Sequence, residues 1–436
     1  MAAMFCAAAV INAQSDGSQQ NKTGRSGTFA IRGARIVTVS GPVIEKGNVV
    51  IRDGKIAAVG LDATIPKDAE VIDGSGLTVF PGMIDAGTGL GLVEIGQGAN
   101  GTVDVTETGV NNANERALTG INPNTSHVNV TRVNGITSVL SFANGGLIAG
   151  QATVINLNGS TQEEMALVPE FALVINFPRV SLFGGFVPGV GRRSVEMNDA
   201  LKRRDEQIDE LKKLFREAEN YGRAVDAAKR DATLPRVDED TRLEAMVPYI
   251  RGEKPIMFTA ERERDIRAVA KFAVEMKIKA IVIGGQEAWR AADVLKQNDI
   301  AVIFDHIYDL PVRDDDPYDA LFAAPSKLAA AGVRFAISTG DGGGEVRDLP
   351  YHAGLAGAFG LSREDALRSV TLYPAQILGI ADRVGSIEAG KTANVVVADG
   401  DILEPTTNIK YLFINGRLIP LTSRHTELFE SFKDRK

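Results

Sequence analysis

The chain has 436 residues, of which 44% are hydrophobic and 24% charged, and its formal net charge is −8. That balance fits a globular protein with one large domain and a smaller one. The acidic balance argues against a nucleic-acid surface, the single cysteine (Cys6) excludes a disulfide framework or a Cys-based zinc site, and no later run reaches the ~20 apolar residues of a membrane span.

In chain order, residues 1–27 run from the small apolar "MAAMFCAAAVINA" into the polar "QSDGSQQNKTGRSG". They read as the later part of an export signal ending near Ala13, then a linker. A periplasmic or extracellular location is expected, with a cytoplasmic polar tail as the alternative. Residues 28–80 hold "FAIRGARIVTV", "GNVVIRDGKIAAVG" and "AEVIDGSGLTVFPG". These are β-branched runs broken by Asp-Gly and Gly turns, the pattern of short strands and hairpins. Residues 385–423 have the same texture, in "GSIEAGKTANVVVADGD" and "IKYLFINGRLIPL". The two terminal pieces are expected to pair into one small β domain.

Residues 81–384 alternate apolar strands with helical periods. The strands are "GITSVLSF" (135–142), "FALVINF" (171–177), "KPIMFT" (254–259), "KAIVIGG" (279–285), "IAVIFDH" (300–306) and "VRFAIST" (333–339). Amphipathic stretches such as "ERDIRAVAKFAVEMK" and "EAWRAADVLKQN" lie between the later ones. Continuous apolar strands separated by helices predict a parallel sheet covered by helices, best a (β/α)8 barrel, with a doubly wound open sheet as the alternative. No GxGxxG follows a strand, so no dinucleotide site is expected. Residues 196–247 break the rhythm with a long charged helical segment, read as a solvated insertion whose position before a barrel strand would also allow it to roof the active face.

Three stretches together resemble one family. "IVTVSGPVIEKGNVVIRDGKIAAVG" followed by "VFPGMIDAGTGLG" resembles the amino-terminal part of the amidohydrolase superfamily, in its imidazolonepropionase-like branch. "GLSREDALRSVTLYPAQILGIADRVGSIEAGKTANVVVADGD" resembles the carboxy-terminal part, and "VRFAISTGD" falls at the last catalytic strand. The resemblance covers about residues 28–420 and is weakest over 95–130 and 180–250. It implies a TIM-type barrel with a small β-sandwich built from both termini. It also implies hydrolysis of amide-like C–N bonds by metal-activated water.

In that family the first barrel strand ends in His-x-His, two imidazoles that face the same way because strand side chains alternate. Here those positions are Gly87 and Gly89. The next two expected histidine positions fall on Thr259 and Gly284. Four small residues therefore stand where ligands are expected, and Gly87 and Gly89 are read as leaving a cavity. No residue is assigned to a metal and no cofactor is called; zinc is the ion that the resemblance implies. Asp341, in "STGDGG", matches the aspartate that accepts a proton from the attacking water.

The other chemistry-bearing residues have two readings each. His306 is either a mouth-facing general acid or base, or a histidine bonded to a loop carbonyl. Asp341 is either a base, or a carboxylate that caps the following "GGGEVRD" loop or pairs with Arg347. Asp85, on the face of Gly87 and Gly89, is read as half of an ion pair. "SFANGGLIAGQAT" (141–153) is read as a Gly-rich loop, of oxyanion-holding type or simply a turn. His127 is placed in a loop, His352 at the start of the last barrel helix, and His425 in the tail. Trp289 and Arg290 are read as packing. The function expected is hydrolysis of a C–N bond in a small non-peptide molecule, with Asp341 and His306 catalytic and Gly87, Gly89, Thr259 and Gly284 in the pocket. The alternative is an inactive relative that binds a small ligand or an active homologue. Neither nucleic acid nor membrane is an expected partner, and a homo-oligomer is left open.

Overall fold

The computed structural model describes residues 23–96, 100–187, 191–340 and 342–435. Five strands come first: β1 (Phe29–Ile36), β2 (Ile44–Arg52), β3 (Lys55–Gly60), β4 (Glu70–Asp73) and β5 (Thr78–Pro81). Then follow β6 (Met83–Thr88), β7 (Ile136–Ser141), β8 (Ile148–Asn156) and β9 (Ala166–Asn176). A hairpin of β10 (Phe183–Val187) and β11 (Gly191–Ser194) precedes β12 (Ile256–Ala260), β13 (Ala280–Gly284), β14 (Ala301–Phe304) and β15 (Phe335–Ile337). The chain closes with β16 (Val395–Ala398), β17 (Ile409–Ile414) and β18 (Arg417–Leu418).

The terminal strands form one eight-stranded sheet in the order β18-β17-β16-β5-β1-β2-β3, with β4 beside β1. Two of its hairpins follow from their turn residues. Asp53-Gly54 joins β2 to β3 and Asn415-Gly416 joins β17 to β18, all four residues at positive φ, as a type I′ turn requires. Strands β1 and β17 are separated by β5 and β16, so a flat sheet would hold them ~14 Å apart. Yet the rings of Phe29 and Phe413 are 5.2 Å apart. The sheet therefore folds over on itself around a core that includes Phe29, Ile31, Val49, Val395 and Phe413.

The second sheet runs β15-β14-β13-β12-β9-β8-β7-β6 and carries the barrel. Its edges meet at the seam between β6 and β15, where Gly340 N–H donates to the Gly87 carbonyl at 3.2 Å. Ile84, Leu140, Val174, Met257, Ile281, Ile283 and Ile303 fill the interior, so the barrel is a packed core and not a pore. The opposite side chains, such as Phe258, Val282 and Val302, meet the surrounding helices.

Strict (β/α)8 alternation does not hold. Strand β8 runs antiparallel to both β7 and β9. It occupies Ile148–Asn156, within and beyond the stretch read as a Gly-rich loop, and is buried along its whole length. The reversal fits between β7 and β8 because Gly146 takes φ +75° and can turn the chain in a short connection. Only 142–147 is loop.

The charged segment forms the helices Met197–Arg230 and Thr241–Ile250. Rather than roofing the mouth, the long helix lies against the barrel helix Glu263–Met276: Phe215 meets Phe272 edge-on at 5.4 Å, and Lys212 pairs with Glu275 at 2.8 Å. Phe272 in turn contacts Phe177 and Phe258, an aromatic cluster worth ~0.5–1.5 kcal/mol per pair beyond simple burial. Among the described residues no helix is long and apolar enough to cross a membrane. Most of the 1–27 segment lies outside the described residues.

Candidate functional site

The carboxyl ends of the barrel strands converge, as barrel geometry dictates, on one mouth. A cavity of about 550 Å³ opens there. Asn176 (end of β9), Thr259 (β12), Glu261 (just after β12), Gly284 (end of β13) and Asp305 (just after β14) line it, with Phe142, Phe177 and Arg179 at its wall. Thr259 Oγ1 donates to Asn176 Oδ1 at 3.0 Å.

Three carboxylates hold His306. Its Nε2 lies 2.7 Å from Glu261 Oε2, and its Nδ1 lies 2.5 Å from Asp309 Oδ2. Asp305 Oδ1 is 3.1 Å from the same Nε2. Burial works against the charged ring, but the bond to Glu261 and the charges of Asp305 and Glu261, with the bond to Asp309, push it up to about 10. At neutral pH His306 is an imidazolium with both N–H groups spent. It does not bond a loop carbonyl, and as an imidazolium it has no lone pair with which to act as a base; of the expected roles only that of an acid is compatible with this state.

Asp305 is the less satisfied partner. Its Oδ1 is buried and accepts no hydrogen bond. Burial first, then the charges of Glu261 and Asp85, raise its carboxyl to about 7, against the opposing pull of His306. Two glycines make room for this arrangement. A Cβ on Gly284 (φ +94°) would stand 2.3 Å from Glu261 Oε1, and a Cβ on Gly340 (φ +68°) would stand 2.9 Å from Asp305 Oδ2.

Asp85 has no ion pair; its partners are neutral. Ser338 Oγ and Thr339 Oγ1 each donate to it at 2.5 Å, and the Gly87 and Thr339 backbone N–H groups add two more bonds. Burial outweighs these bonds and raises it to about 6. It ties β6 to the segment after β15 across the barrel seam.

The expected hollow at Gly87 and Gly89 is absent. A Cβ on Gly87 would meet Ile283 Cδ1 at 2.8 Å, Ser338 Oγ at 3.1 Å and Ile303 Cγ2 at 3.3 Å. One on Gly89 would meet Gly342 Cα at 3.3 Å and Val105 Cγ1 at 3.5 Å. Neither glycine lines the mouth cavity, whereas Thr259 and Gly284 do. Asp341 lies outside the described residues.

The remaining histidines sit on helices. His352 is in the first turn of Leu349–Ala358, edge-on to Tyr308 at 4.4 Å, and burial lowers it to about 4. His127 is in Ser126–Arg132, not a loop, with Nε2 3.0 Å from the Glu94 carbonyl. His425 is in Arg424–Phe432, not a free tail. Trp289 packs between Arg290 and Lys327.

The sequence reading passed over Glu261 and Asp305. Glu261 stands two residues beyond Thr259, on the same strand face by the period of two, and Asp305 directly precedes His306 at a strand's carboxyl end. Those two positions were the signal.

A family model described as "Amidohydrolase family" matches residues 291–419. The chain is 23% identical over 418 residues to an imidazolonepropionase of Mesorhizobium japonicum, covering 86% of this chain and 93% of that protein. The structure of an amidohydrolase from Thermotoga maritima MSB8 aligns with a TM-score of 0.78 at 24% identity, over 91% of this chain and all of that one. The family model and the relative support placing the chain in the amidohydrolase superfamily, in its imidazolonepropionase-like branch, and the structural match supports the fold. A further amidohydrolase, tasK of Hapsidospora irregularis, is 22% identical over 383 residues; the match takes in 83% of this chain but only 38% of that protein. The family-model match takes in the last barrel strand and β16 and β17, while Glu261 stands upstream of it.

Proposed function

We propose that this amidohydrolase-superfamily protein hydrolyses a C–N bond of a small non-peptide amide or cyclic amide. In this reading Asp305 activates the water, in place of the metal that the family resemblance implies. The single observation that carries it is Asp305: a cavity-lining carboxylate with a buried, unbonded oxygen beside an imidazolium. Water gives a proton to Asp305 while its oxygen bonds to the carbonyl carbon. The C–N bond then breaks as Asp305 returns that proton to the leaving nitrogen. A carboxyl that titrates near the working pH serves both directions. The names of the matched relatives, amidohydrolase and imidazolonepropionase, support the reaction class.

The donor set does not fit the family's metal centre. Gly87, Gly89 and Gly284 offer no side chain, Thr259 Oγ1 is spent on Asn176, and both His306 nitrogens are engaged. Among the described residues no group of three or more His, Cys, Asp or Glu is placed to hold a metal ion. No step of the reaction proposed here passes through one.

The test is turnover of a panel of cyclic amides and acylated amines by chelator-treated protein, beside Asp305→Asn. Turnover that survives chelation and drops ~10²-fold or more in Asp305→Asn is expected. Turnover equal in both proteins, or dependent on added metal, overturns the mechanism. The saturated state of His306 favours a second reading, a ligand-binding relative without turnover; saturable binding of panel members with no product would select it. Export remains the reading of residues 1–27, and fractionation of cells expressing the full chain tests it.

A further inference from the structure

A second cavity of about 550 Å³ lies away from the carboxylates of the mouth, between the helices Ser126–Arg132 and Arg424–Phe432. Its lining is basic. Arg347 enters from the short helical turn Val346–Asp348, and Arg424 and His425 enter from the last helix. His127, Ser126 and Asn122 complete the polar wall.

These groups are not neutralised by one another. Arg347 Nη1 donates to His425 Nδ1 at 3.4 Å, a neutral acceptor that leaves the guanidinium charge uncompensated. Burial first, and then the charges of Arg347, Arg424 and His127, hold His425 below the ordinary histidine range. Arg424 makes no ion pair among the described residues. The nearby acids are already engaged: Asp348 lies 3.6 Å from Arg347 Nε, and Glu94 Oε1 accepts from the Asn122 amide at 3.0 Å. Two guanidiniums, Arg347 and Arg424, stand on the lining against one carboxylate, Glu94, so the cavity keeps an excess of positive charge that favours an anion.

We propose that this cavity binds a small oxyanion of sulfate or phosphate-monoester type. Arg347 and Arg424 would hold it by charge-assisted hydrogen bonds, which are roughly twice as strong as neutral ones. The Ser126 hydroxyl and the His425 ring would supply further donors. Glu94 at the wall limits the ligand to one compact anionic group. The wall also touches the barrel mouth: a Cβ on Gly343 would stand 3.0 Å from His127 Cδ2, and Gly342 covers Gly89. Occupancy would therefore brace the loop that follows the last barrel strand. The site stands independently of the hydrolase reading, since Asp305 and Glu261 line the other cavity.

Titration calorimetry on the full chain at low salt tests it, with sodium sulfate, inorganic phosphate and phenyl phosphate as probes. One-to-one saturable binding is expected, weakened at least tenfold in Arg424→Ala and lost in Arg347→Ala/Arg424→Ala. Arg334→Ala, whose side chain is outside this cavity's lining and pairs with Asp299, should leave binding unchanged. Arg424 is exposed and unpaired, so Arg424→Ala keeps the fold and the test remains decisive even if the double variant unfolds. Tighter binding of phenyl phosphate than of inorganic phosphate assigns the site to esters, and the reverse assigns it to the free ion. No saturable binding of any probe, or equal weakening in Arg334→Ala, overturns the proposal.

Discussion

Ile283 Cδ1 occupies the space that a side chain on Gly87 would need: a Cβ there would come within 2.8 Å of it. A side chain at position 87 of the first barrel strand would therefore have to displace core packing. Both residues belong to the buried upper layer of the barrel, where no exposed volume can absorb an added ring.

Introducing a histidine at position 87 should therefore damage the core. Gly87→His is expected to cost ~1–3 kcal/mol, the usual range for overpacking. Gly87→His/Ile283→Ala should recover part of that loss, because the truncated side chain vacates the contact. Urea denaturation of the two variants checks this. Equal stability of Gly87→His and wild type would mean that the layer repacks freely.

Asp305 makes stability depend on pH in a stated direction. Its carboxyl is raised to about 7 in the fold, against ~3.9 in an unfolded chain. Below about pH 4 it is protonated in both states and costs nothing. As pH rises from about 4 to 7 the unfolded chain ionises first, so the fold loses stability. Asp305→Asn removes that loss. The variant should gain on wild type over this window in melting scans, with no further gain above it. Parallel curves at every pH would exclude the raised value.

His306 works in the opposite range. Its ring is raised to about 10 against ~6.5 unfolded. The stability from its bonds to Glu261 and Asp309 is fully present below about pH 6.5 and is lost as pH climbs through about 10. His306→Ala should cost about 2 kcal/mol at pH 6, the scale of hydrogen bonds to charged groups, with a gap to wild type that narrows toward pH 10. Chemical denaturation at four pH values measures that gap.

Gly284 is irreplaceable on two counts. Its φ of +94° disfavours any side chain, and a Cβ would strike the Glu261 carboxylate. Gly284→Ala should cost ~1–3 kcal/mol and displace Glu261 from His306. Adding Glu261→Ala removes the clash but not the backbone strain, so only part of the loss should return. The His306 titration, followed by NMR, should fall in Gly284→Ala and in Glu261→Ala alike.

Much of this protein was readable from the order of its residues. Apolar runs of five to seven residues between amphipathic helices announced the barrel. Asp53-Gly54 and Asn415-Gly416 announced hairpins that only positive φ can make. Gly87 and Gly89 announced that the first strand could not ligate through side chains. These are local facts, set by chain stereochemistry and by which side chains exist. Tertiary structure decided the rest, because it depends on what meets across space. The direction of β8 was hidden since a buried strand reads alike in either sense. The filled space at Gly87 depended on Ile283, almost two hundred residues away. The charge of His306 depended on Glu261, 45 residues upstream, and that pairing depended in turn on Gly284 leaving room for a carboxylate. A residue's type is written in the sequence, but its protonation and its free lone pairs are set by neighbours that only the closed barrel brings together.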